Sequence, residues 1–333
     1  MATFLTTPRM SPELRARVER AVSHRKRARE NAAKVGLKTP FANRERLRVA
    51  RVLPLVALLL VVGLGSTVYV QGRRTVEAER ATLLNALAER RAGLPPGHEA
   101  FLAETDRWVL DAASDSTGAE TVDPTLKAPG ALDALLARPA VYVRGPAAEL
   151  ADGAKLNDAA SASIKDSFLF CLLNPPPSSS ERDLLTKVRG VYFGGAKVDE
   201  QTANVRRLAE ARIGLGVLGT SFEGAARAAE DVSSLKRLLR DLQGAPTDEA
   251  KRAAAAELLL VVADGAAQTG TREARVTVID LAAKKVLLRT RPRIDSQGRS
   301  PAAQIHRDDM DGCGLALEVH RGVEALSASA AVQ

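Results

Sequence analysis

Gly214-x-Gly216-x-x-Gly219 has the spacing with which a strand-to-helix turn brings backbone N–H groups against a pyrophosphate, and a helix start follows at Ser221. That chemistry requires a strand feeding the glycines. Asn204 to Ile213 reads as helix instead, so the glycines predict a flexible turn between helices, with Ser221 as an N-cap. The overlapping run Gly219-Thr220-Ser221-Phe222-Glu223-Gly224 misses a nucleophile elbow because its second glycine comes one place late. Asp309, Asp311, Gly312 and Glu318 stand at the third, fifth, sixth and twelfth places of a calcium loop, but Arg307 fills the first, where a carboxylate is needed. Asp308, Asp309 and Asp311 therefore read as acids at the start of a last helix, complementing its dipole. His306 and His320 have no Cys or His partner at a zinc spacing, and four histidines in the chain leave little for a triad. Both read as surface residues. No catalytic constellation, metal or cofactor is expected.

The two cysteines, Cys171 and Cys313, permit two readings. In an oxidising compartment they would pair, tying the middle of a domain to its closing helix. Alternatively they are two buried free thiols, since Cys171 lies in the apolar run Phe168 to Leu173. The choice depends on where the chain resides.

That question turns on Val52 to Val70, nineteen residues without a charge and almost all aliphatic. At ~1.5 Å per residue such a helix covers roughly the ~30 Å hydrocarbon core of a bilayer. A buried helix of a soluble domain ordinarily keeps a polar stripe, and this stretch has none. Fifty-one residues precede it and no small-x-small cleavage pattern follows, so it reads as an uncleaved signal anchor. Met1 to Arg51 carries fourteen Lys or Arg against four acids, whereas the whole chain is only +8. The positive-inside rule then keeps residues 1–51 cytoplasmic and exports the remainder, against the weaker opposing signal of Arg73, Arg74 and Arg80. Within the tail a thin apolar stripe, Leu14, Val18, Ala21, Val22 and Ala32, runs among many arginines, with Arg25, Lys26, Arg27 and Arg29 between its last members. Those four cations are candidates for anionic-lipid contact. Nucleic acid is not expected, because no aromatic interleaves the arginines and no base-reading motif is visible.

Beyond the span, residues 71–113 predict two helices, with Val76, Leu83, Leu84 and Leu87 facing Phe101, Leu102, Trp108 and Val109 across a turn at Gly93 to Gly97. Residues 114–130 read as a linker and 131–326 as an α/β domain with a largely antiparallel sheet flanked by helices; 327–333 is a frayed end. Expected strands are Ala140 to Arg144, Phe168 to Leu173, Glu257 to Ala263, and a hairpin of Arg275 to Leu281 with Val286 to Arg291. Expected helices start at a Ser178/Glu181 capping box and at Ser221, the latter running to Leu242 as one element. Trp108, the only tryptophan, is a packing anchor.

The architecture predicts a single-pass membrane protein whose exported domain is a non-enzymatic binding or scaffold module with a protein partner outside the cytoplasm. A one-span sensor signalling to the basic tail is the alternative. An exported hydrolase has no constellation to support it.

Overall fold

The computed structural model describes residues 22–24, 26–27, 43–115, 118–162, 167–193, 202–266, 270–297 and 300–330, without the side chains of 43–65, 68, 99, 161–162, 191–193, 302 and 326–330. The chain divides into two compact units, Met1–Arg73 and Arg74–Gln333.

In the first unit, residues 22–24 and 26–27 are helical and exposed. Of the four candidate lipid contacts, Lys26 and Arg27 lie there; Arg25 and Arg29 fall outside the described residues. Helix α1, Asn43–Arg91, is 49 residues long and contains Val52 to Val70 without a break. Among the described residues no helix is long and apolar enough to cross a membrane. The side chains of residues 52–65 and 68 of the expected span lie outside that description.

The second unit is a mixed α/β fold with a sheet flanked by helices. Its elements are α2 (His98–Ser114), β1 (Thr121–Val122), α3 (Ala131–Leu136), β2 (Ala140–Pro146), α4 (Leu156–Ala162), α5 (Ser167–Leu173), α6 (Glu181–Phe193), β3 (Val205–Arg207), α7 (Leu208–Leu218) and α8 (Thr220–Ala228). Then follow α9 (Val232–Gly244), α10 (Thr247–Ala254), β4 (Leu258–Asp264), β5 (Thr271–Asp280), β6 (Lys285–Thr290), β7 (Arg293–Asp295) and α11 (Arg307–Ala330). Strand order is β1-β6-β5-β4-β2-β3, with β7 on β5. The sheet is thus more mixed than expected: β2 pairs in parallel with both β3 and β4, while β4, β5, β6 and β1 form an antiparallel half.

The run from Leu258 to Ala263 shows why β4 is apolar at six successive positions. Alternate side chains of a strand face opposite ways. Leu258, Leu260 and Val262 enter a core with α3, α5, α6 and α11, whereas Leu259, Val261 and Ala263 enter another with α2, α4 and α7. Both faces are covered, so no position is left for a polar residue. Trp108 packs at the edge of the second core, as expected of an anchor. The β5–β6 hairpin turns over residues 281–284, where Lys284 takes φ 51° and Asp280 Oδ1 accepts from the Ala283 amide at 2.8 Å.

Several expected elements differ. Phe168 to Leu173 is helix α5, not a strand: Phe168 through Leu172 are all buried, which erases the periodicity that separates helix from strand. Val205–Arg207 is a short edge strand rather than helix, and two of its three residues are arginines. The span Ser221 to Leu242 is two helices, because Asp231 caps α9 by accepting from Ser234 N at 2.8 Å. At α6 the cap is Ser180, whose Oγ accepts from Asp183 N at 3.2 Å, and Glu181 reaches out to Ser300 N at 3.0 Å.

The two stripes beyond the span do not cover each other. Leu83 and Leu87 enter a third core with Leu218, Ala226, Leu235 and Leu242, while Val109 faces the sheet. Nor are residues 114–130 a free linker. Strand β1 pairs with β6, Leu126 is 4% exposed, and Asp123 accepts from Thr125 N at 3.0 Å while pairing with Lys285. The Lys285 hydrogen bond and then those from Thr125 pull the Asp123 carboxyl down to about 2.

Candidate functional site

In open α/β sheets ligands settle outside the carboxyl ends of parallel strands where successive connections leave in opposite directions. Here β3 and β4 lie on either side of β2, so that place is the end of β2 and β4. It is filled by the protein's own charges. Arg144 Nε and Nη2 donate to Asp264 Oδ2 and Oδ1 at 2.9 and 3.0 Å, and the guanidinium lies 5.4 Å from the centre of the Phe168 ring. Arg272 pairs with Asp308 at 2.9 Å and Asp311 at 3.6 Å. Helix α11 closes in where Gly312 stands: a Cβ there would come within 3.0 Å of Ser167 Oγ and 3.2 Å of Arg144 Nη1. Asp308 and Asp309 do lie in the first turn of α11, but Asp311 is a buried partner of Arg272 rather than an exposed cap. The chemistry at this end is structural.

A cleft of about 480 Å³ lies elsewhere, between the Leu126–Gly130 loop, α3 and α11. Its apolar wall is Leu126, Leu132 and Val323, all buried; its rim carries Lys127, Asp133 and Glu324. Gly130, at φ +72°, turns the loop into α3. His320 lines this cleft, so the surface reading of that residue is overturned: only 8% is exposed. Its Nε2 lies 2.8 Å from the Leu172 carbonyl oxygen. A carbonyl only accepts, so Nε2 carries the hydrogen and a neutral ring leaves Nδ1 as an acceptor. Nδ1 stands 3.9 Å from Asp133 Oδ1, beyond hydrogen-bond length. The cleft's volume falls in the range of small-molecule sites.

A third arrangement fixes the end of α1 to its neighbours. Arg91 Nε and Nη2 donate to the carbonyls of Leu218 and Gly219 at 2.7 and 2.9 Å, capping the carboxyl end of α7, and the same guanidinium pairs with Glu223. Arg80 donates to Ala229 O at 2.7 Å beyond α8, and Arg90 to Thr247 Oγ1 at 2.8 Å. The Arg91 hydrogen bond, then that of Arg227, holds the Glu223 carboxyl below its ordinary value.

Gly214 and Gly216 lie inside α7, with Gly219 as N-cap of α8 and Ser221 in its first turn. A Cβ on Gly214 would overlap Ala250 and come 2.8 Å from Pro246 O, so this glycine lets α7 and α10 approach closely. It is a packing glycine, neither a phosphate cradle nor a flexible turn. Cys171 on α5 and Cys313 on α11 are brought together, with Cα atoms 5.1 Å apart and sulfurs bonded to each other, both fully buried. Among the described residues no group of three or more His, Cys, Asp and Glu could hold a metal ion.

Sequence reading missed the arginine contacts of α1 and the His320 cleft. The latter had a signal: Cys313, Ala316, His320 and Val323 recur at helical spacing, and all are buried. Comparison with protein-family models, with curated proteins and with solved structures found no match.

Proposed function

We propose that the chain is a single-pass membrane protein, anchored by Val52 to Val70 in the cytoplasmic membrane, with residues 1–51 cytoplasmic and residues 74–333 folded outside as a non-enzymatic binding module for a partner there. The observation that carries this reading is the uncharged nineteen-residue stretch in one unbroken helix, Asn43–Arg91. Where the side chains of that stretch are described, Tyr69 and Val70 are 61% and 45% exposed, apolar surface of the kind a bilayer covers. Arg73 sits 5.1 Å from the Tyr69 ring, a pairing that suits a headgroup region. The bridged cysteines suit an oxidising compartment.

Fractionation tests the anchor. The full chain is expected in the membrane pellet after alkaline carbonate washing, and a chain lacking residues 52–70 in the soluble fraction. Recovery of the full chain in the wash would overturn the reading. A second reading, a sensor, draws on the contacts of Arg80, Arg90 and Arg91, through which movement of α7 or α8 would bear directly on α1.

A further inference from the structure

We propose that the His320 cleft binds a small organic cation, a primary ammonium head group on a short aliphatic body. The inference deepens the binding-module reading and rests on it. Three features of the cleft converge on that chemistry.

The first is the fixed ring. With Nε2 on Leu172 O at 2.8 Å, the His320 ring is oriented by that bond, and its neutral form offers the cleft an acceptor nitrogen and no donor. The second is spacing. Nδ1 and Asp133 Oδ1 are 3.9 Å apart, too far to bond each other, yet one ammonium nitrogen placed between them meets both at ordinary lengths of about 2.8–3.0 Å. The third is charge. Asp133 and Glu324 on the rim outnumber Lys127, so an anion would face net repulsion, whereas a cation gains charge-assisted hydrogen bonds. Leu126, Leu132 and Val323 form the apolar wall against which an alkyl body would lie. A volume of about 480 Å³ admits a body of several carbons with room to spare.

The probes are hexylammonium, hexanol and hexanoate, equal in chain length and different in head group, titrated into the purified full chain in a mild detergent. Binding is read from the imidazole nitrogen resonances of histidine-labelled protein, with the His320 Nδ1 signal assigned by its loss in His320→Gln. Saturable binding of hexylammonium with a shift at His320 Nδ1 is expected, at least about tenfold tighter than hexanol, with hexanoate weakest. Asp133→Asn should weaken hexylammonium about tenfold and leave hexanol unchanged. Asp133 has a 70% exposed side chain, so this variant keeps the fold, and an unchanged melting curve verifies it. Hexanol binding as well as hexylammonium, preference for hexanoate, absence of a saturable shift at His320, or indifference to Asp133→Asn would each overturn the proposal. Membrane fractionation is read independently, so failure here leaves the anchor standing, and failure there leaves the cleft to be judged by its own titration.

Discussion

Helix α1 holds two stretches of similar length and opposite design. Val52 to Val70 is apolar all round its circumference and carries no charge. From Val76 to Arg91 one stripe, centred on Leu83 and Leu87, is buried against α7, α8 and α9, and Arg80, Arg90 and Arg91 hold it by hydrogen bonds to its neighbours. A helix that meets protein on one side and water on the other must be amphipathic, and one that meets hydrocarbon all round must not. Under the proposed anchor the two stretches belong to different solvents, and their properties should separate under mutation.

The largest effect is expected in the first stretch. Leu59→Arg with Val61→Arg places two guanidinium groups near the middle of the proposed span, at a cost of about 2.5–3.5 kcal/mol each. The doubly substituted chain should leave the carbonate pellet while residues 74–333 melt as before. In the second stretch, Leu87→Ala empties a fully buried site and should cost about 2–5 kcal/mol by thermal or urea melting, with membrane recovery unchanged. If the two variants exchanged phenotypes, the division of α1 would fall.

Arg91→Ala should cost less, about 1–3 kcal/mol, because it removes the donor to the Leu218 carbonyl and one of two donors each to Gly219 O and Glu223, which keep the Glu223 amide and Arg227. The smallest effect is a pH dependence confined to the packed stretch. Glu223 titrates lower in the folded chain than its ordinary 4.5, so the folded state favours its charged form. Its contribution is present above pH 4.5 and lost as pH falls through the lowered folded value. Glu223→Gln should flatten this acid limb of the melting profile without touching membrane recovery.

Much of the fold was readable because burial and periodicity agreed. The β5–β6 hairpin and helix α11 each kept a pattern matched to the faces they cover, while the strand at Leu258, apolar on both faces, was marked only by its Leu-Leu-Leu-Val-Val core before Asp264-Gly265. Helix α5 did not, since core surrounds it on every side, and three prolines ending the segment suit a helix as well as a strand. Edge strand β3 was invisible for the opposite reason: Val-Arg-Arg has no apolar pattern, and its pairing with β2 is supplied by the backbone. The site followed the same logic. His320 was judged by its lack of a liganding partner nearby in sequence, whereas its role comes from Leu172, 148 residues away, which only the packing of α11 against α5 brings into reach. The cysteines show what sequence could frame and geometry had to supply, a Cα separation of 5.1 Å across 142 residues. By chain-entropy arithmetic, closing a loop of that length stabilises by up to about 5 kcal/mol.

The most direct test of the anchor and its orientation is a reporter that is active only outside the cytoplasm, fused after Gln333 of the full chain in a bacterial host, with Cys171 and Cys313 assayed by thiol labelling in the same cells. The account predicts an active reporter and both thiols protected until a reductant is added to the denatured protein. An inactive reporter, with both thiols free to label on denaturation, would contradict it.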